Sequence, residues 1–353
     1  MRRRRTARDG TQMLDDWRAS ADTPWMRRVL GAAALLGCVA LNARTPPEWS
    51  DSASSVRLGE KLLHGDLDGF TGIGQLVHTP HPGAILAATP LGLLGHHGAL
   101  VAYGVLSGVA FATLVYAAFR LGRLLGGTLV AGFLAAAMAA FPPHVVSAVR
   151  DTVDVPFAAL VLVAAVAAVQ GRPRATLLAL TAAGTLRPEA WALAVCCAFV
   201  WRGRLRWELA LPLAAPGVWL LFGLATTGDP MVALHTTRTY NAGGSVGVPN
   251  PFLMMAGMST VPVVMVGVVG AIAAVRKRDP RRMALAGFAV VLAAATCAEC
   301  VVGDLVPFDR FLLPSSALLA VLGAVATVEL VRSRAGERGK LGWLGGGRVV
   351  AGR

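Results

Sequence analysis

The chain has 353 residues, of which 55% are hydrophobic and only 15% charged, and its mean hydropathy is +0.59. The apolar residues come in long runs instead of spaced stripes, which excludes an ordinary soluble domain and describes a chain built for a bilayer. A formal charge of +13 would point to nucleic acid in a soluble protein, but the Lys and Arg residues gather between alternate apolar runs; they mark a membrane surface, and no nucleic-acid partner is needed to explain them.

Residues 1–27 are polar and Arg-rich and read as a disordered cytoplasmic tail held near anionic headgroups. Apolar spans are then expected at 28–43, 98–119, 128–149, 155–170, 176–186, 190–201, 209–227, 252–275, 283–302 and 311–331, each bounded by charges, Pro or Gly. Arg27-Arg28 and the run to Leu35-Leu36-Gly37-Cys38 have the look of a twin-Arg or lipoprotein signal, and read here as an uncleaved first helix. The outer loop 44–97 is long and therefore functional or disordered. It holds an expected helix from Ser52 to Leu63, the turn Gly65-Asp66-Leu67-Asp68-Gly69, and an apolar stretch, 83–95, too short to cross, taken as interfacial or re-entrant. The run 176–201 is split at Arg187-Pro188-Glu189. Each half is then only about 16–18 Å long, so the turn belongs inside a protein-lined cavity, where irregular backbone at depth is tolerated. A second outer loop, 228–251, carries His235, Arg238, Tyr240 and Asn241, and 332–353, basic and Gly-rich, reads like the N-terminal tail as disordered and cytoplasmic.

With the N-terminus inside, 26 of the 33 basic residues fall on the inner side, while the outer side keeps 7 basic residues against 12 acidic ones. Adding or removing one span would invert every loop downstream. The expected fold is all-α integral membrane, with about ten transmembrane helices, both termini inside, and the transmembrane domain at 28–331. The five cysteines, Cys38, Cys196, Cys197, Cys297 and Cys300, all fall in spans, so no disulfide framework is implied; the Cys297/Cys300 pair reads as two small helix residues. No internal repeat relates two halves of the chain, which weighs against a transporter.

Ionisable residues near spans are costly, so their positions point to function. Glu48, Asp51, Arg150, Asp151, Asp154, Arg187, Glu189, Glu299, Asp304, Asp309 and Arg310 all fall at the outer ends of helices and are expected to converge on one outer cavity. Asp151 and Asp154 also have a structural reading, as N-terminal caps of the helix holding Pro156, and Arg187 one as a partner of Glu189 or Glu299. His64, His78 and His81 have no spacing that enforces a zinc site.

Asp51 just beyond the first helix, an amphipathic Ser55–Leu63 ending at His64-Gly65, and Thr79-Pro80-His81-Pro82 entering the second helix form one series of features. Asp151-Thr152-Val153-Asp154-Val155-Pro156, Leu186-Arg187-Pro188-Glu189 and Asp309-Arg310-Phe311-Leu312-Leu313-Pro314 continue it. In order and side, the series resembles the C-type (GT-C) glycosyltransferase superfamily, multipass enzymes that use polyprenyl-phosphate sugars, mannosyltransferases and arabinosyltransferases among them. The resemblance covers roughly 28–331. It departs in having Ser52 after Asp51, where many relatives have a second acidic residue, and in the lack of the soluble C-terminal domain many of them carry.

The resemblance implies an inverting transfer of a sugar from a polyprenyl-phosphate donor to a glycan, lipid or protein acceptor, on the outer face of a bacterial plasma membrane. Asp51 is then the base that deprotonates the acceptor hydroxyl, and Arg187, Arg310 or Arg238 stabilise the departing phosphate. Asp151 and Asp154 form a second acidic site, holding a divalent metal (Mg or Mn) or orienting an arginine, with Glu189, Glu299 and Tyr240 in support. That divalent metal is the one cofactor considered. A lipid-linked substrate transporter or flippase and a noncatalytic membrane scaffold are the alternatives.

Overall fold

The computed structural model describes residues 31, 50–67, 80–140, 142, 145, 148–149, 153–241, 250–302 and 309–345, and side chains within these except at 239–241, 258, 302, 309 and 335–345. The described residues are all-helical, 88% helix with no strand. The expected first span at 28–43 lies outside them apart from Gly31, as do Glu48, Asp151 and Asp304.

Helix α1 (Asp51–Leu63) is the helix expected in the long loop. Ser50 caps it, its hydroxyl accepting from the Ala53 amide at 3.1 Å. Its buried face is polar and small, Asp51, Ser52, Ala53, Ser55, Val56 and Gly59, and the Ser55 hydroxyl meets buried Tyr103 on α3. The stretch expected to lie along the surface is α2 (Pro82–Ala88) followed by a 3-10 turn, Thr89–Leu94, both packed on α1. It ends at Gly95, whose φ of 71° only glycine adopts without strain. Helix α3 (Gly95–Gly126) has 32 residues and is about 48 Å long by itself, more than the roughly 30 Å of a hydrocarbon core, so Pro82–Leu94 is not needed for crossing.

The remaining α-helices among the described residues are α4 (Leu129–Ala140), α5 (Asp154–Val169), α6 (Pro173–Leu186), α7 (Glu189–Val200), α8 (Leu211–Thr227), α9 (Val232–Asn241), α10 (Pro251–Met258), α11 (Val261–Arg276), α12 (Pro280–Val302) and α13 (Leu313–Gly345). The split between α6 and α7 falls where Pro188 predicts it. The single span expected at 252–275 is instead broken into α10 and α11 at Ser259-Thr260, because Pro262 has no amide hydrogen and its ring would meet the Met258 carbonyl of a continuous helix. The last helix also runs past its expected end at 331, so 332–345 is helical and not the disordered tail expected; Gly336, Gly339 and Gly342 are poor helix formers, but the turns between them hold Arg, Ala, Glu, Lys and Leu, and extending an existing helix is cheap.

Among the described residues, four helical stretches are long and apolar enough to cross a membrane: Pro82–Gly126, Trp207–Thr227, Pro280–Val301 and Arg310–Arg334. The last differs from the rest, with 89% of its apolar window buried inside the protein. Helix α13 is the axis of the bundle, packed by α3, α4, α5, α11 and α12. Against α11 the approach is backbone to backbone: a Cβ on Gly267 would lie 2.7 Å from the Leu319 carbonyl oxygen, and one on Gly270 would lie 2.5 Å from that of Leu322. Small residues allow such contact, which is how helices gain packing energy where lipid is as apolar as protein.

Candidate functional site at four helix N-termini

Three carboxylates open three helices. Asp51 is the first residue of α1, Asp154 of α5 and Glu189 of α7, where negative charge meets the positive end of the helix dipole. A 3-10 turn, Asp309–Leu312, carries Arg310 and Phe311 into the start of α13, and α10 packs on that turn. Two guanidinium groups join these four termini.

Arg187 is the inner one. Pro188 disfavours helical backbone at the residue before it, so Arg187 is extended (φ −148°, ψ 135°) and its side chain leaves the end of α6 toward α5. It donates to Asp154 Oδ1, and to Glu189 Oε1 at 3.0 Å. Its guanidinium carbon lies 4.2 Å from the centre of the Phe311 ring and 6.0 Å from that of Phe157, within cation–π range. Arg187 is 5% exposed, Asp154 0% and Glu189 1%, so this ion triad is inside the protein.

Arg310 is the outer one, its side chain one-third exposed. Its Nη2 is 3.4 Å from Asp51 Oδ2 and its Nε 3.6 Å from Asp154 Oδ2. Residues 51, 154, 187 and 310 are therefore gathered into one chain of alternating charge. Glu299 on α12 lies within electrostatic range of Arg187 and Glu189. The core of the cluster has three carboxylates, Asp51, Asp154 and Glu189, to two guanidinium groups, so the carboxylates are in excess. Asp154 faces two arginines, the arrangement of an orienting carboxylate more than of a metal ligand, and among the described residues no three His, Cys, Asp or Glu side chains group to hold a metal ion.

His81, part of the Thr79-Pro80-His81-Pro82 feature, hydrogen-bonds the Leu186 carbonyl with Nδ1 at 2.8 Å. A carbonyl only accepts, so Nδ1 carries the hydrogen of the ring. The contact fastens the start of α2 to the end of α6, beside Arg187. Gly83 reinforces it by close approach, since a Cβ there would collide with the Thr185 side chain. The Gly184 carbonyl below accepts from the indoles of both Trp191 (2.9 Å) and Trp219 (2.8 Å), and Trp219 also meets the His81 ring edge to face. The break between α6 and α7 is thus braced on several sides.

Compared with known proteins, the sequence matches no family model and no curated relative.

Of the other expected residues, Arg238 is exposed on α9, a helix packed on α8, while Asp151 and the side chains of Tyr240 and Asp309 lie outside the described residues. Phe157 and Phe311 were not singled out by sequence reasoning. The aromatic in Arg310-Phe311 was a signal of a kind; Phe157, one apolar residue in an apolar helix, gave none.

Proposed function

We propose that the protein is an inverting glycosyltransferase of the C-type fold, moving a sugar from a polyprenyl-phosphate donor to an envelope glycan, lipid or protein acceptor on the outer face of a bacterial plasma membrane. The observation that carries this reading is the convergence of Asp51, Asp154, Arg187 and Arg310, which are far apart in sequence and are the residues through which the chain resembles that superfamily. The ten-span, both-ends-inside topology belongs to the same proposal.

The transfer needs a base at the acceptor hydroxyl and positive charge at the leaving phosphate. Asp51, 7% exposed and beside Arg310, is the base. Arg310, the more accessible guanidinium, receives the phosphate, with Arg238 as a further cation if loop 228–251 folds over the site. Arg187, clamped by Asp154 and Glu189, is suited to positioning Asp154 and the start of α13 more than to leaving its partners for substrate. Should the transfer use Mg or Mn, Asp151 and Asp154 are the ligands to test; such an ion would neutralise charge on the phosphate, and Asp154 would have to exchange an arginine for it.

A transporter or flippase of lipid-linked substrates is the second reading, favoured by one observation: ionised side chains buried beside a broken helix are also how membrane carriers build a substrate site.

The test compares envelope glycans and glycolipids of a strain lacking the gene, complemented with wild type or with a membrane-inserted Asp51→Asn variant. Loss of a sugar restored only by wild type supports both the transferase and its base. Full restoration by Asp51→Asn removes Asp51 from that role, and an unchanged glycan profile in the deletion strain moves the transporter and scaffold readings ahead.

A further inference from the structure

We propose that two arginine-bearing turns, 171–174 and 201–210, seat the headgroup of an anionic phospholipid whose acyl chains lie along α7 and α8. The turns lie at the end of the bundle opposite the carboxylate cluster, and the inference uses none of the residues assigned to sugar transfer.

Helices α6 and α7 pack as a hairpin about the break at Pro188, so the start of α6 and the end of α7 lie at its far end. The turn 171–174 leads into α6, and 201–210 joins α7 to α8. Arg174 Nε is 2.5 Å from Glu208 Oε1, which ties the two turns together. Arg172, Arg174, Arg202, Arg204 and Arg206 are all exposed there, against the single carboxylate of Glu208. Glu208 is 1% exposed and already engaged, by Arg174 and by the Arg206 amide, which donates to Oε2 at 2.9 Å. The guanidinium groups of Arg172, Arg204 and Arg206 have no hydrogen-bonding or ionic partner among the described residues. The basic turn at the start of α12 is different. Lys277 is answered by Glu329 at 2.6 Å and Arg282 by Asp279 at 3.0 Å, and both carboxylates are about one-third exposed. Uncompensated positive charge is thus concentrated on 171–174 and 201–210.

The charge meets apolar surface at a defined place. The Arg202 guanidinium carbon lies 4.4 Å from the centre of the exposed Phe199 ring, in the last turn of α7. This cation–π contact holds the charge where the apolar surface of α7 ends. Away from the turn, Val195 on α7 and Leu213 and Leu220 on α8 are exposed. Trp207, also exposed, stands within the turn, and Trp favours the level of lipid headgroups. Helix α7 has 12 residues and is about 18 Å long, close to one leaflet of a hydrocarbon core roughly 30 Å thick. An anionic phospholipid presents the same order of chemistry, a phosphate and then chains of one leaflet's length. A soluble anion would complement the arginines and leave the apolar surface beside them uncovered.

The full chain in an uncharged detergent, offered equal concentrations of phosphatidylglycerol and phosphatidylcholine with the same acyl chains, tests the seat, with retained lipid read by native mass spectrometry. Wild type is expected to retain phosphatidylglycerol preferentially. Arg204→Gln should lower that preference about fivefold, the factor equal to about 1 kcal/mol for one arginine at an anionic lipid surface. Arg202→Gln, Arg204→Gln and Arg206→Gln together should abolish it. Arg276→Gln, Arg278→Gln and Arg281→Gln together remove the same charge from the turn before α12 and should leave it in place. If the first triple variant does not insert, Phe199→Ala keeps every charge, removes the rest for Arg202, and should lower the preference about twofold to fivefold. No preference in wild type, an equal loss in both triple variants, or unchanged preference in Arg204→Gln and Phe199→Ala overturns the proposal. Displacement of the lipid by an equal concentration of glycerol 1-phosphate also overturns it, since the turns would then hold soluble phosphate.

Discussion

Replacing Arg187 by Met keeps the length of the side chain and removes its charge, in a setting where Asp154 is 0% and Glu189 1% exposed. Taking one partner from a buried ion pair costs about 3–5 kcal/mol, most of it from the charge left behind. The two stranded carboxylates are not equivalent. Asp154 keeps Arg310 at 3.6 Å, whereas Glu189 loses the partner of Oε1 and its Oε2 already bonds to nothing among the described residues. The destabilisation expected for Arg187→Met is therefore about 4 kcal/mol, and adding Glu189→Gln should recover more of it than adding Asp154→Asn. Arg187→Lys should fall between, because one ammonium group cannot donate to both carboxylates in the forked geometry of a guanidinium. Equilibrium unfolding of the purified proteins in one mixed-micelle system measures all five. A loss below about 1 kcal/mol for Arg187→Met, or equal rescue by the two second-site changes, would refute the idea that burial and unequal pairing govern this cluster.

Helix contact at α11 and α13 predicts that Gly270→Ala costs about 1–3 kcal/mol, because its Cβ would meet the Leu322 backbone, which has no rotamer to yield. Gly287→Ala on α12, where a Cβ meets nothing within 4 Å, should be neutral or stabilising by up to about 1 kcal/mol, and thermal unfolding of the two variants side by side checks the contrast. In the loop after α8, Asp229 accepts from the Met231 amide at 2.8 Å and from His235 at 2.6 Å, and these hold its carboxyl below the ordinary carboxylate range. A lowered folded-state value means the contribution is present above about pH 3.9, the ordinary value, and is lost as pH falls further. Hydrogen exchange at 229–235 should stay slow from pH 7 to 5 after correction for intrinsic rates and quicken only below 4; an earlier rise through Asp229 titration would contradict the assignment.

How much was legible differs from residue to residue. The break at Pro188 could be read because its cause is local: a proline, an extended residue before it, and charges on both sides. The break at Pro262 has an equally local cause, yet apolar flanks concealed it within one long run. Convergence of Asp51, Asp154, Arg187 and Arg310 was expected from the position of ionisable residues at the outer ends of helices. Which arginine lies deep and which at the mouth was not, since both stand beside a helix start with a carboxylate and an aromatic in reach, and burial depends on the helices that cover them. For His81 the sequence offered only a zinc reading that no spacing enforced, and its partner, a carbonyl 105 residues away, could not be read from local pattern.

By itself the sequence determined an all-helical chain with membrane-crossing runs, because hydrophobic length and the punctuation by Pro, Gly and charge act within one segment. It did not determine which run is the centre. The apolar windows of Pro280–Val301 and Arg310–Arg334 have mean hydropathies of 2.0 and 2.1, yet 33% of one and 89% of the other is buried in protein. A lipid tail and a neighbouring helix are equally apolar, so hydropathy cannot tell them apart; close backbone approach at Gly267, Gly270 and Gly323 decided it, and with it the place where the four helix N-termini meet.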